Sequence, residues 1–565
     1  MGRASRALGW SFTSNALARF GTVAIGIALA RLLGPHQFGT YAVAYVALMA
    51  VLSFNELGVS LAIVRWPGEP SEITPTVTTL SIASSLVIYF GCFLGAPAYA
   101  TAMGAPNATT VIRVLALNVV IDGVVSTPAA LLQRYFRQDK KMIADQVNCW
   151  LGAGVTIALA ASGFGAMSLA IGRMTGCLVG AIPLVVYSPE RLRLGFDPAR
   201  VRPLLRFGLP LAGSSLIVFA VLNVDQLVVG RLLGPTALGY YVLAFNLSGW
   251  PGNIFSQPVR AVAPAAFSRL QHDRAAMAKG FVNVAGLLCA VALPVCALLS
   301  GSALPLIGFV YGAHWLPAAQ ALIWLGLLAG LRIFFELVYD FFVVLARSRV
   351  VLTVQLVWLI VLIPALIIGA RADGIFGAAL AGLAVAAGVV LPWYLAELNG
   401  VGIRPRALGA RVWLPLAGAA LAGLCAIGAR KIMPTFFTVC LIGGIATLLI
   451  IALLVYHMRP LLSLMRRASG DESAAPAETF TPPSASETTA AKVGPTAEES
   501  ARALALLISL AVRQPEYPSL TGPIPVYRDI QRKEDYERSP IQASTGSPLD
   551  RRTVGARHRG PPNGS

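Results

Sequence analysis

RLLGPHQFGTYAVA at residues 31–44 and RLLGPTALGYYVLA at residues 231–244 are one short hairpin written twice. At an offset of 200 residues, Arg31/Arg231, Leu32/Leu232, Leu33/Leu233, Gly34/Gly234, Pro35/Pro235, Gly39/Gly239, Tyr41/Tyr241 and Ala44/Ala244 coincide without a gap. In each copy Gly-Pro closes one apolar run, and Gly39 or Gly239 is expected to open the next. That is the chemistry of a tight turn between two helices. Both copies fall at the same place in the pattern of apolar runs, so the pair reads as a duplication.

The runs on either side decide the solvent. Of 565 residues, 56% are hydrophobic and 12% charged, and the mean hydropathy is +0.70. The charged fraction is about half that of a soluble domain, which excludes a soluble enzyme. Long apolar runs also exclude a transmembrane β-barrel, whose strands would alternate over ~10 residues. A spanning helix needs about 20 mostly apolar residues, and fourteen such spans are predicted. They cover residues 10–31, 38–61, 76–100, 111–132, 143–162, 165–187, 208–230, 238–259, 280–300, 317–344, 350–370, 374–396, 411–429 and 435–457. The first is too long for a cleaved signal peptide and has no small-residue cleavage site after it. Six spans separate the two hairpins, so both halves run in the same sense. This parallel repeat places a cavity between two six-helix lobes. The predicted fold is an all-α integral membrane protein. It has an N-terminal lobe at 1–206, a C-terminal lobe at 207–403, two extra helices at 404–467 and a polar tail at 468–565.

Charge sets the orientation. Residues 1–467 carry 33 basic and 14 acidic side chains, whereas residues 468–565 carry 11 and 12. With the N-terminus cytoplasmic, 24 of the basic residues fall in cytoplasmic connections and 6 on the opposite face: Arg31, Arg113, Arg231, Arg371, Arg430 and Lys431. Positive charge stays inside, so both termini are expected in the cytoplasm. Membrane topology explains the basic excess, and no nucleic-acid partner is expected. The seven cysteines stand singly in apolar stretches and suggest neither disulfides nor a metal site.

The order and spacing of several runs resemble the polysaccharide transporter, or Wzx-type flippase, family. These are ALARLLGPHQFGTYAVAYVAL at 28–48, FNELGVSLAIVR at 54–65, TPAALLQRYFRQDKKMIAD at 127–145 and NVDQLVVGRLLGPTALGYYVLAFNL at 223–247. The family belongs to the multidrug/oligosaccharidyl-lipid/polysaccharide exporter superfamily, and the resemblance extends over roughly residues 5–460. It implies a MATE-like fold in a bacterial cytoplasmic membrane. It also implies translocation of an undecaprenyl-pyrophosphate-linked oligosaccharide by alternating access, with glycan polymerase or assembly proteins as possible partners. His36 stands where the family commonly has an acidic residue, and the tail after residue 467 has no counterpart in the core.

Polar side chains inside spans are costly and default to functional hypotheses. Asn15 and Arg19 share one face of the first span, where Arg19 is expected to meet pyrophosphate or to snorkel toward headgroups. Arg332, Glu336 and Asp340 form a stripe on the tenth span. Arg332 and Glu336 are spaced to neutralise each other, or the stripe lines a cavity with Arg332 for the head group. Asp225, with Asn223 and Gln226 beside it, is the other candidate; a carboxylate at that depth suits reversible protonation, and Arg231 is its alternative structural partner. Asp122 pairs in spacing with Asn118 on the fourth span, and Arg173 lies midway along the sixth. The expected substrate-binding set is therefore Asn15, Arg19, Asp122, Arg173, Asn223 and Arg332. The expected set for H⁺ or Na⁺ coupling is Asp225, Glu336 and Asp340.

No Walker A run is present and no cofactor is expected. A cation-coupled drug exporter of the same superfamily is one alternative. A membrane glycan polymerase or ligase is another, though residues 101–110 and 301–316, the longest outer stretches, contain no Asp, Glu, Lys or Arg. The tail is too poor in large apolar residues to fold alone. Residues 501–512, ARALALLISLAV, are too short to span and suit an interfacial helix.

Overall fold

Helices account for the backbone because apolar side chains leave a spanning chain no way to satisfy its N–H and C=O groups except internally. The computed structural model describes residues 2–457, apart from 56–58, 67, 258, most of 261–272 and 433–435. Side chains are described from residue 25 onward, with scattered exceptions. The predicted tail at 468–565, with its 501–512 segment, lies outside the described residues.

Among the described residues fourteen α-helical elements run in order, three of them of ten residues or fewer. They are α1 (Gly2–Asn55), α2 (Val59–Arg65), α3 (Thr74–Ala102), α4 (Ala108–Arg134), α5 (Gln138–Ala161), α6 (Ala166–Val186) and α7 (Pro198–Ser248). They continue as α8 (Arg274–Gly301), α9 (Ala303–Val310), α10 (Ala318–Val344), α11 (Ser348–Val385), α12 (Leu391–Gly400), α13 (Pro405–Ile432) and α14 (Phe436–His457). Among the described residues there is no strand, and nine helical stretches are long and apolar enough to cross a membrane. The chain is a multi-pass helical membrane protein.

Three of these elements bend sharply. α1 turns at Gly34 (φ 69°, ψ 169°) and α7 at Gly234 (φ 81°, ψ 180°), a backbone region essentially reserved for glycine. α11 turns at Asp373 and Gly374. At Gly34 and Gly234 the helix resumes at the following proline, whose fixed φ suits a first helical position. The next helix therefore opens at Pro35 and Pro235, and not at Gly39 or Gly239 as the sequence suggests. Those two glycines serve a different purpose. A Cβ on Gly39 would collide with the backbone carbonyl of Pro235, and one on Gly239 with that of Pro35. The two hairpins meet tip to tip, backbone against backbone.

The recurrence extends beyond identical residues. α4 and α10 both end on a non-glycine residue in the left-handed region, Phe136 and Ala346, each with φ 55°. Behind them Arg137 N–H donates to Leu132 O at 2.8 Å, and Arg347 N–H to Phe342 O at 3.0 Å. This is one helix-ending motif formed twice. Gly165 (φ 57°, ψ −137°) and Gly374 (φ 54°, ψ −135°) likewise share a conformation.

α1 and α7 share a continuous core that includes Ala42, Val43, Ala44 and Leu48 from the first and Leu238, Tyr241, Ala244 and Leu247 from the second. α5 and α6 approach closely through small residues: a Cβ on Gly172 would collide with Thr156 and Gly152, and one on Gly176 with Asn148. The opposite faces remain apolar and exposed, as at Phe437, Leu441, Leu448 and Leu453 of α14. Such faces suit contact with lipid.

Candidate functional site

Three helices each contribute one polar stripe to a cavity of about 580 Å³. α4 supplies Asn118, Asp122, Ser126 and Gln133; α5 supplies Lys141, Asp145 and Asn148; α6 supplies Arg173 and Cys177. Spacings of three, four and seven residues put each set on one helical face. Asn118 is 4% exposed, and its Nδ2 donates to Leu115 O at 2.9 Å, while its Oδ1 has no donor among the described residues. The buried Arg173 Nε likewise has no acceptor among them, and the guanidinium lies 5.1 Å from the centre of the Tyr45 ring.

Two expected site residues, Asp122 and Arg173, thus share one wall. Lys141 was missed, because the sequence places it in a connection; α5 begins at Gln138, and Lys141 stands on its first turn. Asp145 and Asn148 lie inside the predicted span 143–162, three residues apart on one face, so the signal for them was present in the sequence and was passed over.

A second polar cluster joins α7 to α10. Asp225, 4% exposed, accepts from Tyr241 Oη at 3.1 Å, and Arg332 stands 3.9 Å from the same carboxylate oxygen. Asn223 Oδ1 accepts from Gln226 Nε2 at 3.3 Å beside it. Arg332 is stacked 5.0 Å from the Phe245 ring centre. Tyr45 and Phe245 are equivalent positions of the two hairpin copies, and each carries an arginine over its ring.

The pairing along α10 is not the intrahelical one that the spacing of Arg332 and Glu336 allows. Glu336 accepts a hydrogen bond from Ser256, and Asp340 binds Arg260 through two bonds of 2.8 and 3.2 Å. Arg260 also stands 3.9 Å from Glu336. The sequence assigns Arg260 to a cytoplasmic connection, whereas residues 257, 259 and 260 are helical after a π-turn at Gly252–Ser256. Nor does Arg231 pair with Asp225. It donates to the carbonyl of Ala102, the last residue of α3. Asn15 and Arg19 fall where side chains are not described.

At the hairpin tips, Arg31 Nε donates to Val310 O at 2.7 Å, and Trp315 Nε1 donates to Ala30 O at 2.9 Å. Trp315 is 1% exposed, with Phe38 and Tyr240 edge-on against it at 5.6 and 5.9 Å. These contacts tie the two hairpin tips to the segment after α9, whereas the α4–α5–α6 cavity is lined as far as Gln133 and Lys141.

The family model described as "Polysaccharide biosynthesis protein" matches residues 28–320, more than half of the chain. The chain belongs to the polysaccharide biosynthesis protein family. Within this polysaccharide biosynthesis family it is 28% identical over 328 residues to the succinoglycan biosynthesis transport protein ExoT of Rhizobium meliloti (strain 1021), covering 58% of this chain and 65% of that protein. The chain thus aligns with just under two thirds of that relative's length. It is 24% identical over 396 residues to the lipopolysaccharide biosynthesis protein WzxC of Escherichia coli (strain K12), covering 68% of this chain and 79% of that protein.

Among solved structures the fold is similar to the lipid II flippase MurJ in an inward closed conformation. The TM-score is 0.64 at 14% identity, covering 79% of this chain and 99% of that one. It is also similar to an inward-facing multidrug resistance transporter of the MATE family in the MOP superfamily. That match has a TM-score of 0.54 at 17% identity, covering 67% and 95%. The all-helical fold expected from the sequence is therefore present, and it is similar to that of these two transporters.

Proposed function

We propose that this family member translocates a lipid-linked oligosaccharide across a bacterial cytoplasmic membrane by alternating access. The observation that carries the reading is the polar cavity between α4, α5 and α6. Spanning helices hide charged side chains only where a cavity or a partner receives them, and this cavity gathers four. The expected substrate set of Asn15, Arg19, Asp122, Arg173, Asn223 and Arg332 is extended here by Lys141, Asp145 and Asn148. The names of the relatives, a succinoglycan transport protein and a lipopolysaccharide biosynthesis protein, favour a glycan over a drug as cargo.

The finer architecture belongs to the same proposal. The bends at Gly34, Gly234 and Gly374 divide three elements into six crossings, which supports fourteen spans with both termini cytoplasmic. The recurring torsions at Gly34/Gly234, Phe136/Ala346 and Gly165/Gly374 support lobes at 1–206 and 207–403, with 404–467 added and 468–565 as a cytoplasmic tail.

Ion coupling is assigned to the α7–α10 cluster. Arg260 and Arg332 face three carboxylates there, Asp225, Glu336 and Asp340. Among the described residues the excess there is negative, which gives an H⁺ or Na⁺ a reason to bind. Glycan polymerase or assembly proteins are proposed as downstream partners.

The test is reconstitution. Purified protein in proteoliposomes should move a labelled lipid-linked oligosaccharide to the opposite leaflet, and empty vesicles should not. Equal rates in both would remove the reading.

A further inference from the structure

We propose that the α4–α5–α6 cavity receives the sugar portion of the substrate and not its diphosphate. The inference deepens the reading above and rests on it. A site for a diphosphate carries surplus positive charge, since the ligand is anionic and offers only acceptors. Among its described lining residues this cavity carries no surplus. Lys141 and Arg173 are matched by Asp122 and Asp145 on the same wall. A diphosphate entering here would meet two carboxylates.

The unmet hydrogen-bonding groups point the same way. Asn118 Oδ1 is a buried acceptor without a donor among the described residues, and Arg173 Nε is a buried donor without an acceptor among them. Both residues line the cavity. A phosphoryl oxygen can satisfy Arg173 but has no proton to give Asn118. A hydroxyl both donates and accepts, so a polyol satisfies the two together. Burying either group unmet carries a penalty, and this makes the pair a selection for ligands rich in hydroxyls. Asp122 and Asp145 add further acceptors for sugar hydroxyls, and Lys141 adds donors. A cavity of about 580 Å³ lies within the range of small-molecule sites.

Cys177 stands on the same wall, one helical turn after Arg173, and provides a reporter. The experiment uses the full chain in nanodiscs with Cys177 as its sole cysteine and follows its alkylation by N-ethylmaleimide. Four probes are compared. They are the lipid-linked oligosaccharide fraction of the producing strain, the free oligosaccharide released from that fraction by mild acid, inorganic pyrophosphate, and farnesyl diphosphate.

The first two should protect Cys177, slowing alkylation about tenfold at ~10 Kd by mass action. The two sugar-free diphosphates should leave the rate unchanged. Asn118→Leu should abolish protection by the released oligosaccharide, and the smaller Asn118→Ala, which also removes the acceptor, serves if the leucine variant does not accumulate. Protection by either sugar-free diphosphate, or by the intact lipid-linked fraction without the released oligosaccharide, would overturn the assignment and leave the transport reading standing. If no probe protects, the cavity lies off the substrate's path, and the transport reading loses the observation that carries it.

Discussion

Arg31 and Arg231 hold the same place in the two hairpin copies, and each reaches a carbonyl at the end of a helix in the other half of the chain. Arg31 reaches Phe309 and Val310, the end of α9; Arg231 reaches Ala102, the end of α3. Helix C-termini leave carbonyls unsatisfied and carry partial negative charge, so a guanidinium is a natural cap. These two arginines are among the 6 basic residues assigned to the outer face against the positive-inside trend. Reciprocal capping accounts for their presence there.

Removing either cap should loosen that end of the bundle. With a single cysteine placed at Ala44, which is 0% exposed, Arg31→Gln and Arg231→Gln should each speed labelling by a membrane-impermeant maleimide. The double variant should speed it further. Unchanged labelling in all three would show that the arginines do not hold the seam.

Backbone conformation sets a second expectation. Gly34→Ala and Gly234→Ala place a Cβ in a region reserved for glycine, at a cost of about 1–3 kcal/mol each. Thermal unfolding in detergent should show both variants less stable than the parent. Gly26→Ala, where a Cβ meets nothing within 4 Å and φ is ordinary, serves as the control.

The Arg260–Asp340 pair allows a charge-exchange test. Asp340→Ala leaves a partly buried guanidinium with a weaker partner in Glu336, and Arg260→Ala leaves two carboxylates facing each other. Both single variants should lower the amount of folded protein recovered. Because Arg260 remains about one third exposed, solvent screens part of the effect. The exchange Arg260→Asp with Asp340→Arg should recover protein toward the parental level. Failure of the exchange would assign the loss to packing.

Coupling can be tested one carboxylate at a time. Asp225→Asn, Glu336→Gln and Asp340→Asn should each blunt the response of transport to an imposed H⁺ or Na⁺ gradient. An ion shifts a conformational equilibrium only through unequal affinity for its states. If wild-type transport ignores both gradients and all three variants keep its rate, the coupling assignment fails.

Topology is checked with cysteines in the 188–206 and 301–316 connections. Impermeant reagents applied from outside intact cells should label the second and spare the first. The reverse pattern would invert the orientation.

Much of the fold is legible in the sequence, because spanning a membrane imposes length, apolarity and helical hydrogen bonding on local sequence alone. The duplication was legible too, since Gly34-Pro35 and Gly234-Pro235 encode a backbone conformation that few other residues can adopt. Asp122, Arg173, Asp225 and Arg332 could be selected by residue type and depth as groups costly to place inside a span.

Which of those groups meet is a property of the packed bundle. The spacing of Arg332 and Glu336 permits a pair within one helix, yet Arg332 faces Asp225 of α7, while Arg260 takes Asp340. Helical periodicity states which residues share a face, but not which neighbouring helix that face meets. Sequence alone places Lys141 and Arg260 in connections, because a charge near a span's end looks the same whether it enters water or a cavity. Only the helix start at Gln138 and the π-turn at Gly252–Ser256 place them. The contact of Gly39 with Pro235 is of the same kind, since a close approach between residues about 200 apart leaves no local trace beyond a missing side chain.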